Sequence, residues 1–339
     1  MKTIKIAFLL SLTLLTKPIA LAMESNSEQK LMSGSEHPGA DITPLDFPES
    51  LEGLSLNTIT EMGENLLTLS LSSSEHLQDL SEEEISEMQE EGIKLLQWAA
   101  DQDHIPAHQI LGYYYSHADS LNRDLVNGEK HLQIAADQGD SIAQYHLALL
   151  HFRGYLPYSD QIKAVDNLKK AAAQGHREAL YTLGRLYEQS NNNIISQDLA
   201  AAATCYQQAA AQGLADAQLA LGRCYLRGRG VAHSEQKAVE WMTQAAENGL
   251  PFAYTVLGKA YNTGDGLPLD QEKSSKYIKF ASDLGDPCGQ TALAIFILNK
   301  SPLSQEDKGE AFKLLSAAAL KEIKPALETL ALFPLLSRD

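Results

Sequence analysis

Small and apolar residues recur along this chain at a nearly constant spacing. Seven segments place an alanine pair, or a close variant of one, just before a turn position. They are "QWAADQD" ending at Asp103, "QIAADQG" at Gly139, "KKAAAQG" at Gly175, "QQAAAQG" at Gly213, "TQAAENG" at Gly249, "KFASDLG" at Gly285 and "SAAALKE" at Glu322. The intervals between these anchors are 36, 36, 38, 36, 36 and 37 residues. A period of that length marks a solenoid, in which each unit is one supersecondary element that buries its apolar face against its neighbours.

Each unit reads as two helices. Seven residues before the anchor stand Leu96, Leu132, Leu168, Tyr206, Met242, Ile278 and Leu315, and alanines follow at four and three before it. These offsets share one face of a 3.6-residue helix. Glycine at five of the seven anchors ends that helix, because it accepts the left-handed backbone just past a helix terminus. A second helix is expected about four residues on, at Ala107, Ala143, Ala179, Ala217, Ala253, Gly289 and Ala326. Leucine follows four residues later, at Leu111, Leu147, Leu183, Leu221, Leu257, Leu293 and Leu330. The next residue is always small: Gly112, Ala148, Gly184, Gly222, Gly258, Ala294 and Ala331. Glycine inside a helix costs about 1 kcal/mol relative to alanine, so its return at one register predicts a close helix crossing. The pairs Gly228-x-Gly230 and Gly264-x-Gly266 read as turns between units. They lack the spacing of a dinucleotide or phosphate loop and follow no strand.

The fold class is therefore all-α, a right-handed superhelical α-solenoid of about seven antiparallel helix pairs. Composition agrees: 44% of the residues are hydrophobic but only 7% aromatic, which suits alanine- and leucine-rich helices better than a β-sandwich. Three segments are expected. Residues 1–22 read as a signal peptide, with Lys2 and Lys5 before a short apolar run and Ala20-Leu21-Ala22 at the cut, so that the mature chain begins at Met23. An uncleaved signal anchor is the alternative. Residues 23–80 are acidic and largely without regular structure; Leu56, Ile59, Met62 and Leu66 mark a candidate short capping helix over 55–71, with a segment that floats free of the array as the alternative. Residues 81–339 form the repeat array. Its first helix starts at Ser81-Glu82-Glu83-Glu84, which has capping-box spacing.

Charge is unevenly placed. Seventeen acidic residues stand against Lys30 alone between Met23 and Glu91, whereas residues 92–339 hold 27 acids and 23 bases. Nucleic-acid binding needs a basic footprint that this chain lacks. No later segment is long and apolar enough for a membrane helix.

The stretches "AVEWMTQAAENG", "AYTVLGKAYNTGDGL" and "AQLALGRCYLRGRGV" resemble the Sel-one-like repeat, a longer-turn relative of the tetratricopeptide repeat. The resemblance runs from about Ser81 to Leu335 and is weakest in the first and last units and around Gly285. It implies a protein-interaction scaffold, often an exported bacterial envelope or host-interaction factor. An adaptor in endoplasmic-reticulum quality control is another role in the family. A cysteine-rich branch linked to β-lactams carries cysteine pairs that this chain lacks, so that activity does not transfer. An exported hydrolase and a glycan or cell-wall binder are the competing classes.

Few residues point to chemistry. His104 and His108 are four apart but straddle Pro106 and lack a third ligand at recognised spacing. No metal, cofactor or catalytic set is expected. Tyr115 occupies a recurring tyrosine register, shared with Tyr187, Tyr225 and Tyr261, and reads as packing, while Tyr113 and Tyr114 stay open. Cys205 and Cys224 lie eight before and eleven after Gly213, at similar height in an antiparallel pair, and an oxidising compartment would permit a disulfide. Two free thiols are the alternative, and Cys288 is left over either way. Lysines recur on the first helices: Lys163, Lys237 and Lys273 at twelve before the anchor, Lys94, Lys130, Lys276 and Lys313 at nine, and Lys169 and Lys279 at six, with Lys170 alongside. The resemblance implies that first helices line the concave side, so these lysines are candidates for binding a partner of unknown identity. The acidic segment is a candidate to cover them. Asp166 and Glu240 interrupt the row.

Overall fold

The computed structural model describes residues 54–71, 81–117, 124–154, 156, 158–189, 194–300 and 302–336. The leader over 1–22, and residues 23–53 and 72–80 of the acidic segment, lie outside the described residues. Fifteen helices and no strand occur among the described residues. They fall into two compact units divided between Ser159 and Asp160.

The first unit holds α1 (Leu56–Leu71), α2 (Glu82–Ala100), α3 (Ile105–His117), α4 (Leu125–Asp137) and α5 (Ser141–Phe152). The second holds α6 (Gln161–Ala173), α7 (Arg177–Glu188), α8 (Leu199–Ala211), α9 (Ala215–Arg227), α10 (Glu235–Glu247), α11 (Phe252–Thr263), α12 (Gln271–Asp283), α13 (Pro287–Leu298), α14 (Gln305–Ala319) and α15 (Lys324–Leu336). Within each unit every helix packs on the next in sequence. Second helices also touch one another, α1 with α3 and α3 with α5 in the first unit, and α11 with α13 and α13 with α15 in the second.

Every anchor has the left-handed backbone expected of it. The φ values are 90° at Gly139, 82° at Gly175 and Gly213, 92° at Gly249 and 79° at Gly285. Asp103 and Glu322, which stand where glycine is missing, have φ of 57° and 56° and are the two non-glycine residues with positive φ among those described. The repeat thus imposes its turn on side chains that disfavour it, at about 1–2 kcal/mol each. Second helices begin two or three residues after the anchor, earlier than the recurring alanine suggests. The cause is the residue just after the anchor. Asp140, His176 and Asp286 cap their helices by accepting from the backbone N–H three residues on. The Ser81 capping box forms: its hydroxyl accepts from Glu84 N at 3.2 Å, and Glu84 accepts from Ser81 N at 2.9 Å.

The apolar residues seven before each anchor are all buried. The glycine of four second helices faces one of them, on the first helix that follows. A Cβ on Gly112 would stand 2.6 Å from Leu132 Cγ, one on Gly184 2.7 Å from Tyr206 Cε1, one on Gly222 2.6 Å from Met242 Cγ and one on Gly258 2.6 Å from Ile278 Cγ1. The tight crossing therefore joins a second helix to the next first helix, and the structural pair is α3–α4, α7–α8, α9–α10 or α11–α12. The contact between α1 and α2 is of the same kind. Gly63 lies where a Cβ would be 2.8 Å from Leu96 Cγ, and Ile59, Met62 and Leu66 are buried against α2 and α3. By position and contact, α1 occupies the place of a second helix ahead of α2.

Candidate partner-binding site

The turns after α9 and α11 rest directly on the preceding repeat. A Cβ on Gly230 would collide with the Leu199 carbonyl, and one on Gly266 with the Leu226 carbonyl; their φ values are 71° and 78°. Only glycine allows both the conformation and the approach. The middle residue of each turn is thereby fixed in place. Arg229, the middle residue of Gly228-x-Gly230, reaches Glu188 at 3.3 Å, and Asp265, the middle residue of Gly264-x-Gly266, meets Arg227 at 2.8 Å.

These four charges line a pocket of about 640 Å³ in the second unit, together with Arg223, Lys259, Thr263, Leu226, Phe252, Val256 and Ala260. Leu226 and Ala260 are buried, and Phe252 and Val256 are half-buried. Glu188 is held further by the hydroxyl of Tyr206, which donates to it across 2.8 Å; burial first, and then that bond, push the phenol up. Both acids on the wall thus have cationic partners. Arg223 and Lys259 have no carboxylate partner among the described residues, and the Arg223 guanidinium lies 5.9 Å from the centre of the Phe252 ring. The pocket presents two unneutralised cations beside an apolar wall.

The pocket is absent from the sequence reading because its residues come from three repeats. The usable signal was the charged middle residue of each Gly-x-Gly turn.

The nine candidate lysines of the first helices are all exposed: Lys94 on α2, Lys130 on α4, Lys163, Lys169 and Lys170 on α6, Lys237 on α10, and Lys273, Lys276 and Lys279 on α12. Two of the nine are ion-paired among the described residues, Lys94 with Glu91 at 3.3 Å and Lys273 with Asp270 at 3.2 Å. Lys237 and Lys273 lie over the rings of Tyr225 and Tyr261, 5.1 and 5.2 Å from their centres.

Histidine chemistry takes a different form from the His104–His108 spacing. His108 pairs with His131 of α4, Nδ1 to Nδ1, at 2.8 Å, and both side chains are buried. His108 also bonds the Ala100 carbonyl, as Gln144 bonds Ala136 and Gln218 bonds Ala210 at the same register. A carbonyl only accepts, so the His108 nitrogen facing it carries the proton, and His131 Nδ1–H donates to His108 Nδ1. Burial lowers both imidazoles. His131 falls to about 4, with His108 and Lys130 adding to the effect, while Asp101 opposes it. For His108 the Ala100 bond, Asp103 and Asp101 oppose burial. Among the described residues no three His, Cys, Asp or Glu groups gather as a metal site. Tyr114 is buried, Tyr115 is half-buried beside His131, and Tyr113 is exposed and stacked on His117 at 4.3 Å.

Cys205 on α8 and Cys224 on α9 carry free thiols, as does Cys288 on α13. Burial pushes all three up, Cys224 to about 11.

The Sel1 repeat model matches residues 105–140, 141–176, 177–214, 215–250, 251–286 and 289–322. Each match that starts at a second helix runs through the next first helix, in the phase of the tight crossings. Among solved structures, a protective antigen of uropathogenic Escherichia coli displaying an SLR fold (c5321) is 29% identical, with a TM-score of 0.60 over 70% of this chain and 50% of that one. A Sel1 repeat protein from Oxalobacter formigenes is 27% identical, with a TM-score of 0.57 over 81% of this chain and 78% of that one. The alginate biosynthesis protein AlgK of Pseudomonas syringae pv. tomato is 35% identical over 96 residues, which span 28% of this chain and 20% of that protein. The chain thus spans a fifth of that curated relative and half of the Escherichia coli antigen. No helix among the described residues is long and apolar enough to cross a membrane. With six matched repeats over more than half of its length, the chain belongs to the Sel1 repeat family and has its α-solenoid fold.

Proposed function

We propose that this chain is an exported, non-enzymatic scaffold that holds a protein partner on the lysine-bearing faces of its first helices. Sel1 repeats generally serve as protein-interaction scaffolds. The observation that carries the reading is the set of exposed lysines, seven of nine without a carboxylate partner among the described residues. Such side chains attract an acidic surface, and the attraction weakens with salt. The acidic stretch ahead of α1, residues 23–53, is the tethered competitor, present at an effective concentration in the range of about 1 mM. The leader-like residues 1–22 support export. In an oxidising compartment Cys205 and Cys224, on consecutive antiparallel helices, close a disulfide. Thiol titration of unreduced, unfolded protein recovered from that compartment then gives one free thiol, and three refute the bond.

The test of the scaffold is deletion of residues 23–53, which leaves α1 packed on α2 and α3, followed by titration with the excised segment as a peptide. Tight binding at low salt, lost at high salt and lost on replacing Lys163, Lys169, Lys170 and Lys237 with glutamine, supports the reading. A deleted chain that binds no more tightly than the full one shows that the segment does not cover these lysines.

A further inference from the structure

The exposed lysines are a diffuse surface, but the pocket among α7, α9 and α11 is a built one. We propose that it is a recognition site for a short peptide segment of a protein partner, one carboxylate lying between Arg223 and Lys259 and an adjoining apolar side chain resting on Phe252 and Val256. The inference rests on the reading of the chain as a protein-binding scaffold and names a second, more selective contact on it.

Three features support this occupant. The volume of about 640 Å³ lies within the range of roughly 300–1,000 Å³ typical of ligand sites. The charges are already sorted: Arg227 holds Asp265 and Arg229 holds Glu188, which leaves Arg223 and Lys259 for an incoming anion. The wall between them is apolar, with Leu226 and Ala260 buried and Phe252 and Val256 half-open. An arginine lying near an aromatic ring is held ready for a planar carboxylate, so less side-chain freedom is lost on binding.

Selectivity follows from the same residues. Arg227 and Arg229 are occupied by Asp265 and Glu188, which leaves two lining cations to share one incoming carboxylate. The site therefore suits a single acid flanked by apolar groups. A polyuronate carries a carboxylate on every sugar, more than the two open cations take up, and has no aliphatic side chain for Val256. The Gly-x-Gly turns keep this arrangement fixed, since Gly230 and Gly266 pack too closely against Leu199 and Leu226 to shift.

The experiment is fluorescence anisotropy on the full chain at low salt with a labelled, amidated Ala-Leu-Glu-Leu-Ala peptide. Its glutamine analogue and a mannuronate hexamer serve as the other arms. The glutamate peptide binds, and the glutamine analogue binds at least about tenfold more weakly. The double variant Arg223→Gln/Lys259→Gln loses a similar factor. Val256→Glu loses binding by repulsion with its helix content, read by circular dichroism, unchanged. Lys321→Gln, an exposed lysine away from the pocket, binds as the parent chain does. Equal binding by the double variant, equal binding of the glutamine analogue, or no peptide binding at all overturns the proposal, as does tighter binding of the mannuronate hexamer. Peptide binding lost only in the Lys163→Gln/Lys237→Gln variant overturns the pocket while leaving the scaffold reading in place.

Discussion

The crossings α3–α4 in the first unit and α9–α10 in the second are built on one plan but filled with different chemistry. In both, a glycine of the second helix faces the apolar residue seven before the next anchor, Gly112 against Leu132 and Gly222 against Met242. In both, the residue four before that glycine is buried and polar and bonds the carbonyl at the end of the preceding helix. In the second unit it is Gln218, which donates to Ala210 at 3.2 Å and accepts from Asn248 at 2.9 Å. In the first unit it is His108, which bonds Ala100 and accepts from His131. An amide meets both demands at any pH. An imidazole pair meets them only with the right number of protons. The repeat thus fixes where a buried polar group must sit, and the choice of side chain decides whether that place responds to acid.

Glycine replacement breaks the comparison most strongly. A Cβ on Gly112 would stand 2.8 Å from the backbone nitrogen of Leu132, which cannot move aside, whereas on Gly222 the nearest atom belongs to the flexible Met242 side chain. Gly112→Val is expected to cost about 3 kcal/mol or more, and Gly222→Val about 1–2 kcal/mol. Thermal unfolding followed by circular dichroism checks the order; equal losses refute the argument from the crossing.

Acid separates the units next. His131 titrates near 6.5 when unfolded and about 4 when folded. Its folded value is depressed, so its stabilisation is complete above pH 6.5 and is lost as pH falls toward 4. The loss is on the order of 3 kcal/mol for His131 alone. Lys130 adds to it, while Asp101 and Asp103 work against it. Two protonated rings would set N–H against N–H at 2.8 Å. His108→Gln, which copies Gln218, should flatten the dependence of unfolding temperature on pH in this range. A variant as acid-sensitive as the parent chain rules out the pair as the cause.

Smaller effects come from the anchors. Asp103→Gly and Glu322→Gly relieve left-handed backbone strain, and each should add about 1 kcal/mol, or roughly 2–4 °C in melting temperature for a unit of this size. Gly213→Ala should move the opposite way by a similar amount, although its Cβ would meet nothing within 4 Å. The smallest change is expected from Arg227→Gln. That ion pair joins side chains about half exposed, and removing it should cost less than about 1 kcal/mol.

Much of this architecture was legible in the sequence because each repeat solves the same packing problem. The buried position seven before the anchor, the left-handed anchor and the small residue after leucine all recur often enough to separate signal from chance. The phase of the pair was not legible. Periodicity says that Gly222 needs a close neighbour but not that the neighbour is Met242 of the next unit. The His108–His131 contact escaped because the two residues belong to different registers, 23 positions apart, and neither recurs in other repeats as histidine. The pocket escaped because Glu188, Arg223 and Asp265 carry no shared spacing, and only the turns that pin Arg229 and Asp265 bring the charges together.

The central claim is that the two units share one helix crossing and differ in the titratable group buried beside it. Hydrogen exchange read by mass spectrometry at neutral and mildly acidic pH, corrected for the intrinsic pH dependence of exchange, tests it most directly. Peptides from α3 and α4 should lose protection on acidification, while those from α9 and α10 keep theirs. Uniform loss across both crossings, or earlier opening of α9 and α10, would contradict the account.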